Sequence, residues 1–217
     1  LRKILHEIYG VFQLGNKEKL LETLKNKAKG KNKIDNELIE IHRSILNLHR
    51  STKERLNEYR LIYKKILNKN VKTILDISSG LNPCSFPWMN IKNIEYVATE
   101  LSSKDCEFLN SYFQIMKKFG LNGRTIRINL LKDNNFPKAD VCFLFKVLDT
   151  FESLKRGISK DILKKINCKV LVVSFPTKTL SGKILSKKRL KWFERIVNVY
   201  ETFEIENEIF YIVKNRN

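Results

Sequence analysis

Glycine, proline, cysteine and acid are the scarce residues of this chain of 217 residues. Eight glycines and four prolines leave no Gly/Pro-rich linker, and no internal repeat or low-complexity tract is visible. One domain with an appendage is therefore expected rather than a string of modules. No apolar run approaches the ~20 residues that cross a bilayer, and no signal-peptide pattern is present, so no membrane association is expected. Cys84, Cys106, Cys142 and Cys168 stand singly, without a C-x-x-C. That scatter speaks against a zinc site or disulfides and for free thiols in a reducing cytoplasm; no metal is expected. The three glycines of the dinucleotide fingerprint G-x-G-x-x-G are missing too, which weakens an NAD reading. Acid is outnumbered: 23 Asp and Glu face 42 Lys and Arg, a net charge of +19. Such a surplus favours a polyanionic partner, with nucleic acid ahead of a membrane surface, which would need a basic amphipathic helix.

What is present centres on residues 73–89, TILDISSGLNPCSFPWM. An apolar run (Val71, Ile74, Leu75, Ile77) ends in Ser78-Ser79-Gly80 and then in Asn82-Pro83. The pattern predicts a buried strand, a tight turn and a helix start, with Pro83 suited to the first helical position. Gly80 lacks a Cβ, so the backbone there can pass close to a ligand, at the carboxyl end of a strand where open α/β sheets bind. Asp76 on this strand, Ser78 and Gly80 in its turn, and Glu100 ending the next strand suit an adenosine-and-amino-acid ligand. S-adenosylmethionine is the candidate cofactor.

Residues 1–70 read as helical. Leu20, Leu21 and Leu24 mark one amphipathic helix, and Ile34, Leu38, Ile41, Ile45 and Leu48 a second. Ser51 with Glu54 three residues on is a capping-box signature, predicting a third helix from Ser51 to about Leu67. By itself that box needs no function. From Val71 strands alternate with helices: strands at 94–100, 124–131, 139–148 and 169–175, helices at 103–118, 159–165 and 187–200, then extended runs at 202–206 and 208–214. The fourth strand should run into a functional loop at Lys146. The expected class is α/β, a Rossmann-like methyltransferase sheet of order 3-2-1-4-5-7-6 ending in an antiparallel hairpin, with a helical subdomain at 1–70 and the methyltransferase domain at 71–217. His6, His42 and His49 read as structural or capping residues.

These segments carry a family resemblance. LHEIYG (5–10), LHRSTKERL (48–56), LDISSGLNP (75–83), PWM (87–89), FK (145–146), VVSFPTKTLSGK (172–183), WFE (192–194) and NEIFYIVK (207–214) resemble, in order and spacing, the 16S ribosomal RNA guanine-N7 methyltransferases of the Arm/Rmt aminoglycoside-resistance group. The resemblance implies roles. Arg55 would grip the methionine carboxylate of the cofactor, as a guanidinium forks onto a carboxylate. Gly80 would lie under the cofactor, Glu100 would take the ribose hydroxyls, and Asn129-Leu130 would flank the adenine. Phe145 would join the cofactor contacts, and Lys146 would position the target base or its phosphate. Lys178 and Lys183 of the 176–183 loop, with Lys187 and Lys188, would hold RNA, the loop being mobile without RNA and closing over the base. No general base is expected, since guanine N7 carries a lone pair and no proton. The implied partner is the small ribosomal subunit, met by a cytoplasmic monomer. Two other readings remain open from the residues: a methyltransferase of another RNA, and a methyltransferase-like RNA-binding module without activity. The family's Leu-Pro after FK is Leu148-Asp149 here.

Overall fold

The computed structural model describes residues 16–132, 135–179 and 181–214. LHEIYG and His6 lie outside them. Among the described residues, four helices come first: α1 (Lys17–Ala28), α2 (Asn36–Leu46), α3 (Arg50–Arg55) and α4 (Tyr59–Ile66). Asn16 and Asp35 cap the first two, each side chain accepting an amide of the opening turn. Leu24 of α1 and Leu38, Ile41 and Ile45 of α2 are buried, as their helical spacing predicts.

The sheet follows: β1 (Thr73–Ile77), β2 (Ile94–Glu100), β3 (Leu121–Arg127), β4 (Ala139–Phe145), β5 (Cys168–Pro176), β6 (Glu201–Ile205) and β7 (Glu208–Lys214). Its order is β3-β2-β1-β4-β5-β7-β6, as the pattern of strands predicted. The first five strands run parallel, and β7 pairs antiparallel with both β5 and β6. Parallel strands covered on both faces read as apolar runs. Alternate residues of β1 point to opposite faces: Ile74 joins a core with Leu24, Leu38, Tyr59, Tyr63 and Phe143, while Leu75 and Ile77 join one with Leu144, Phe151, Ile162 and Phe193. The first core runs from α1, α2 and α4 into the sheet. Helices α5 (Ser103–Met116), α6 (Leu148–Leu154), α7 (Ile158–Lys165) and α8 (Lys191–Val197) complete the fold. All four cysteines are buried, and no helix among the described residues is long and apolar enough to cross a membrane.

Five local expectations are corrected. The third helix does not run unbroken from Ser51: it splits into α3 and α4, with His49 rather than Ser51 at the N-cap position and no side-chain cap bond. Glu54 bonds Arg50 and Lys146, so the reciprocal capping box does not form. The segment after Gly80 is a 3-10 helix, Asn82–Trp88, with Pro87 inside it; that proline removes an amide an α-helix would use. The third strand is shifted to Leu121–Arg127, because Leu121 to Gly123 pair with Ile94 to Tyr96. Gly123 is required there, as a Cβ would lie 2.0 Å from the Phe113 ring. The fourth strand stops at Phe145, Lys146 takes φ 59°, and an unforeseen helix, α6, begins at Leu148, burying Leu148 and Phe151. The helix expected over 187–200 is a 3-10 turn, Lys187–Leu190, followed by α8, which ends at Asn198 with φ 58°.

Candidate active site

Strand order reverses between β1 and β4, and a cavity of about 310 Å³ opens there, at the carboxyl ends of the strands. The turn after β1 forms its floor. Ser78 and Gly80 both take left-handed backbone, φ 54° and 55°. For Ser78 that conformation is strained, and it is held by a hydrogen bond from its backbone amide to Thr99 Oγ1 at 3.1 Å. A Cβ on Gly80 would come only within 3.6 Å of the His49 ring, so glycine is needed for its φ rather than for space. The Gly80 amide donates to the carboxylate of Glu100. Glu100 ends β2, is buried, and burial pushes its carboxyl up to about 7.

Asp76 lies under the same turn. Its Oδ2 accepts from Tyr96 OH at 2.6 Å and Asn82 Nδ2 at 2.9 Å, while burial raises its carboxyl to about 6. It lines the cavity, but its bonds chiefly brace the 3-10 helix against β1. His49 packs over Gly80; burial, helped by the Arg55 charge, pushes it down to about 4 and keeps the ring neutral.

Arg55 closes the opposite wall. Only 2% of it is exposed; Nε donates to Glu208 Oε2 at 2.9 Å, and the guanidinium lies 4.9 Å from the Phe145 ring centre. Nη2 is buried without a hydrogen-bond partner. A buried orphan donor on a permanent cation is costly, and a carboxylate bound in the cavity would satisfy it. The residues present therefore fit the methionine end of S-adenosylmethionine.

Sequence-predicted residues divide here. Arg55, Asp76, Ser78, Gly80, Glu100, Phe145, Lys146 and Lys178 share the cavity lining; Asn129, Leu130, Lys183, Lys187 and Lys188 do not. Asn129 Oδ1 instead accepts the Leu131 amide at 3.1 Å, a turn just beyond β3. Lys146 Nζ is held between Glu54, at 2.5 Å, and Glu208, at 3.4 Å. Lys178 lies 3.7 Å from Glu206, and Lys187 pairs with Glu204. Residues 177–179 and 181–185 lie against one another, the Thr179 amide donating to the Lys183 carbonyl and the Leu185 amide to the Thr177 carbonyl. Sequence reasoning missed Glu208, whose only signal was an acid opening an apolar strand, and Tyr59 and Asn82, which bond each other beneath the turn.

A sheet of this order with a glycine turn, a following acid and a cavity at the switch point defines a Rossmann-like class I S-adenosylmethionine-dependent methyltransferase. The family model for ribosomal RNA methyltransferase (FmrO) matches residues 1–198. The chain belongs to that family, which bears out the resemblance in its motifs. It is 30% identical to the 16S rRNA (guanine(1405)-N(7))-methyltransferase of Micromonospora rosea, over 96% of this chain and 79% of that protein. A Proteus mirabilis protein of the same name is 26% identical, over 98% of this chain and 82% of its own length. Among solved structures, the 16S rRNA methyltransferase RmtF in complex with S-adenosyl-L-homocysteine superposes with a TM-score of 0.78 at 27% identity, covering 99% of this chain and 81% of that one. The 16S rRNA methylase ArmA gives 0.68 at 27%, covering 93% and 98%.

Proposed function

We propose that this protein methylates N7 of a guanine in 16S ribosomal RNA of the small subunit, using S-adenosylmethionine, and that the modification confers aminoglycoside resistance. The observation that carries the reading is Arg55: its unpartnered Nη2 belongs to a residue lining the same cavity as Gly80 and Glu100. Family membership and the names of the relatives support the RNA target.

Within the site, Arg55 holds the cofactor carboxylate, Glu100 accepts from the ribose hydroxyls, and the Gly80 backbone lies alongside. Asn129 and Leu130, beyond β3, flank the adenine, and Phe145 backs Arg55. When bound, the cofactor supplies a methyl group on a positively charged sulfur. Guanine N7 offers an in-plane lone pair and no proton, so no side chain needs to act as a base. The chain's task is alignment and exclusion of water, which in favourable intramolecular cases is worth up to ~7–11 kcal/mol. Lys146, fixed by Glu54 and Glu208, positions the target base. N7 sits on the major-groove edge, which A-form RNA buries, so the base is flipped or the helix opened to reach it. The helical part, residues 1–70, docks on the subunit and covers the cofactor. The enzyme acts as a cytoplasmic monomer. A methyl at N7 fixes a positive charge on the base and removes an acceptor, disfavouring a cationic drug.

The first test is transfer of labelled methyl from S-adenosylmethionine to purified small subunits; no label, in a protein that binds the cofactor, would defeat the reading. A second expectation concerns charge. RNA affinity should fall with salt by ~0.7–0.9 in log K per log salt for each phosphate neutralised. Lys178→Ala with Lys183→Ala should flatten that slope and leave cofactor affinity unchanged. Titrations at several salt concentrations check this, and an unaltered slope would assign both lysines to idle surface.

A further inference from the structure

Asp149 lies in the unforeseen helix, and through Arg189 its contacts reach two other elements. Asp149 sits in the first turn of α6 and lines the cavity at the β4–β5 side, away from Gly80 and Glu100. Its Oδ2 accepts from Arg189 Nη1, and Arg189 Nη2 donates to the Pro176 carbonyl at the end of β5. One planar guanidinium thus joins three elements: α6, the end of β5, and the 3-10 turn Lys187–Leu190 that carries Arg189 itself. Both residues it ties together, Asp149 and Pro176, line the cavity, as do Lys178 and Leu185 of the segment that follows β5. Neither partner is buried, at 26% and 27% side-chain exposure, so the pair adds little to global stability. Its two-point geometry instead fixes direction.

We propose that Arg189 is a positioning residue for the RNA target, setting the cavity mouth through Asp149 and the Pro176 carbonyl. It does not touch the cofactor. The inference rests on the proposed RNA methylation for its kinetic test, but the clasp itself has a separate readout. Arg189→Met and Asp149→Ala should each lower kcat/KM for small subunits by roughly tenfold, and the double variant should be no worse than Arg189→Met, because the two side chains act as one unit. Cofactor affinity by calorimetry should stay within about twofold, the tolerance for sites that share no partner. Trypsin should cleave after Lys178 and Lys183 faster in both variants than in the unaltered protein, with or without an RNA substrate. Additive losses would mean that Asp149 meets RNA directly and would overturn the proposal, as would a parallel loss of cofactor binding or unaltered kinetics. Should the unaltered protein label no subunit at all, the functional reading fails, and faster trypsin cleavage alone decides whether the clasp exists. If Arg189→Met does not fold, Asp149→Ala, at a partly exposed position, carries both measurements.

Discussion

Arg55→Ala should lower affinity for S-adenosylmethionine by about 10- to 100-fold, the loss expected for one charge-assisted hydrogen bond at ~1.5–3 kcal/mol. It should also destabilise the fold by ~3–5 kcal/mol, because Glu208, 1% exposed, loses its buried partner. The two effects are separable. Glu208 retains Ser174 and Lys146 as neighbours, and replacing a buried ion pair by apolar groups is often neutral. Arg55→Met combined with Glu208→Met should therefore recover most of the melting temperature and none of the binding. Calorimetry beside thermal melting gives both numbers. Binding regained along with stability would show that Arg55 only holds the fold together.

Affinity for the cofactor should fall as pH drops through about 7, approaching tenfold per unit below that point. The group responsible is Glu100, whose carboxyl is raised from 4.5 to about 7 by burial, against which the Gly80 amide pulls down. In the proposed site the ribose hydroxyls donate to the charged carboxylate, so binding below about pH 7 would release a proton. Glu100→Gln should remove this dependence and leave any titration of the cofactor's own amino group. An unchanged profile in that variant would take Glu100 out of the ribose site. The same raised carboxyls have an opposite signature in the free protein. Between 4.5 and about 7 for Glu100, and between 3.8 and about 6 for Asp76, the folded state binds more protons than the unfolded one. Their contribution to stability therefore declines as pH rises through those windows, and a bound cofactor should reverse the trend for Glu100.

Much of the architecture was legible because it follows from periodicity. Apolar runs separated by helical stretches gave the parallel strands, and the closing pair of extended runs gave the antiparallel β6–β7 hairpin. The glycine turn and the acids at 76 and 100 were legible as neighbours, since they stand at the carboxyl ends of adjacent strands and line one cavity. Failures came where tertiary contacts overrule local pattern. Ser51 and Glu54 have the spacing of a capping box, but Lys146, 92 residues away in sequence, takes Glu54. Leu121 to Gly123 look weak as strand, yet the neighbouring β2 backbone and the Phe113 ring demand strand there. Lys146 was legible as the residue at the end of the fourth strand, but not its left-handed backbone or its two acidic partners. Glu208 was invisible as a site residue because its meaning depends on Arg55, which stands 153 residues earlier.

The central claim is that this cavity delivers a methyl group to N7 of one guanine, and the chemistry of that product tests it most directly. Small subunits incubated with the protein and S-adenosylmethionine should yield 16S RNA that borohydride and aniline cut at a single new site, since the treatment cleaves at 7-methylguanosine. The site should be a guanine of the decoding region, and the cut should weaken with Arg55→Ala at a cofactor concentration that only just saturates the unaltered protein. Incorporated methyl without a new cut, or a cut at a site outside that region, would contradict the account.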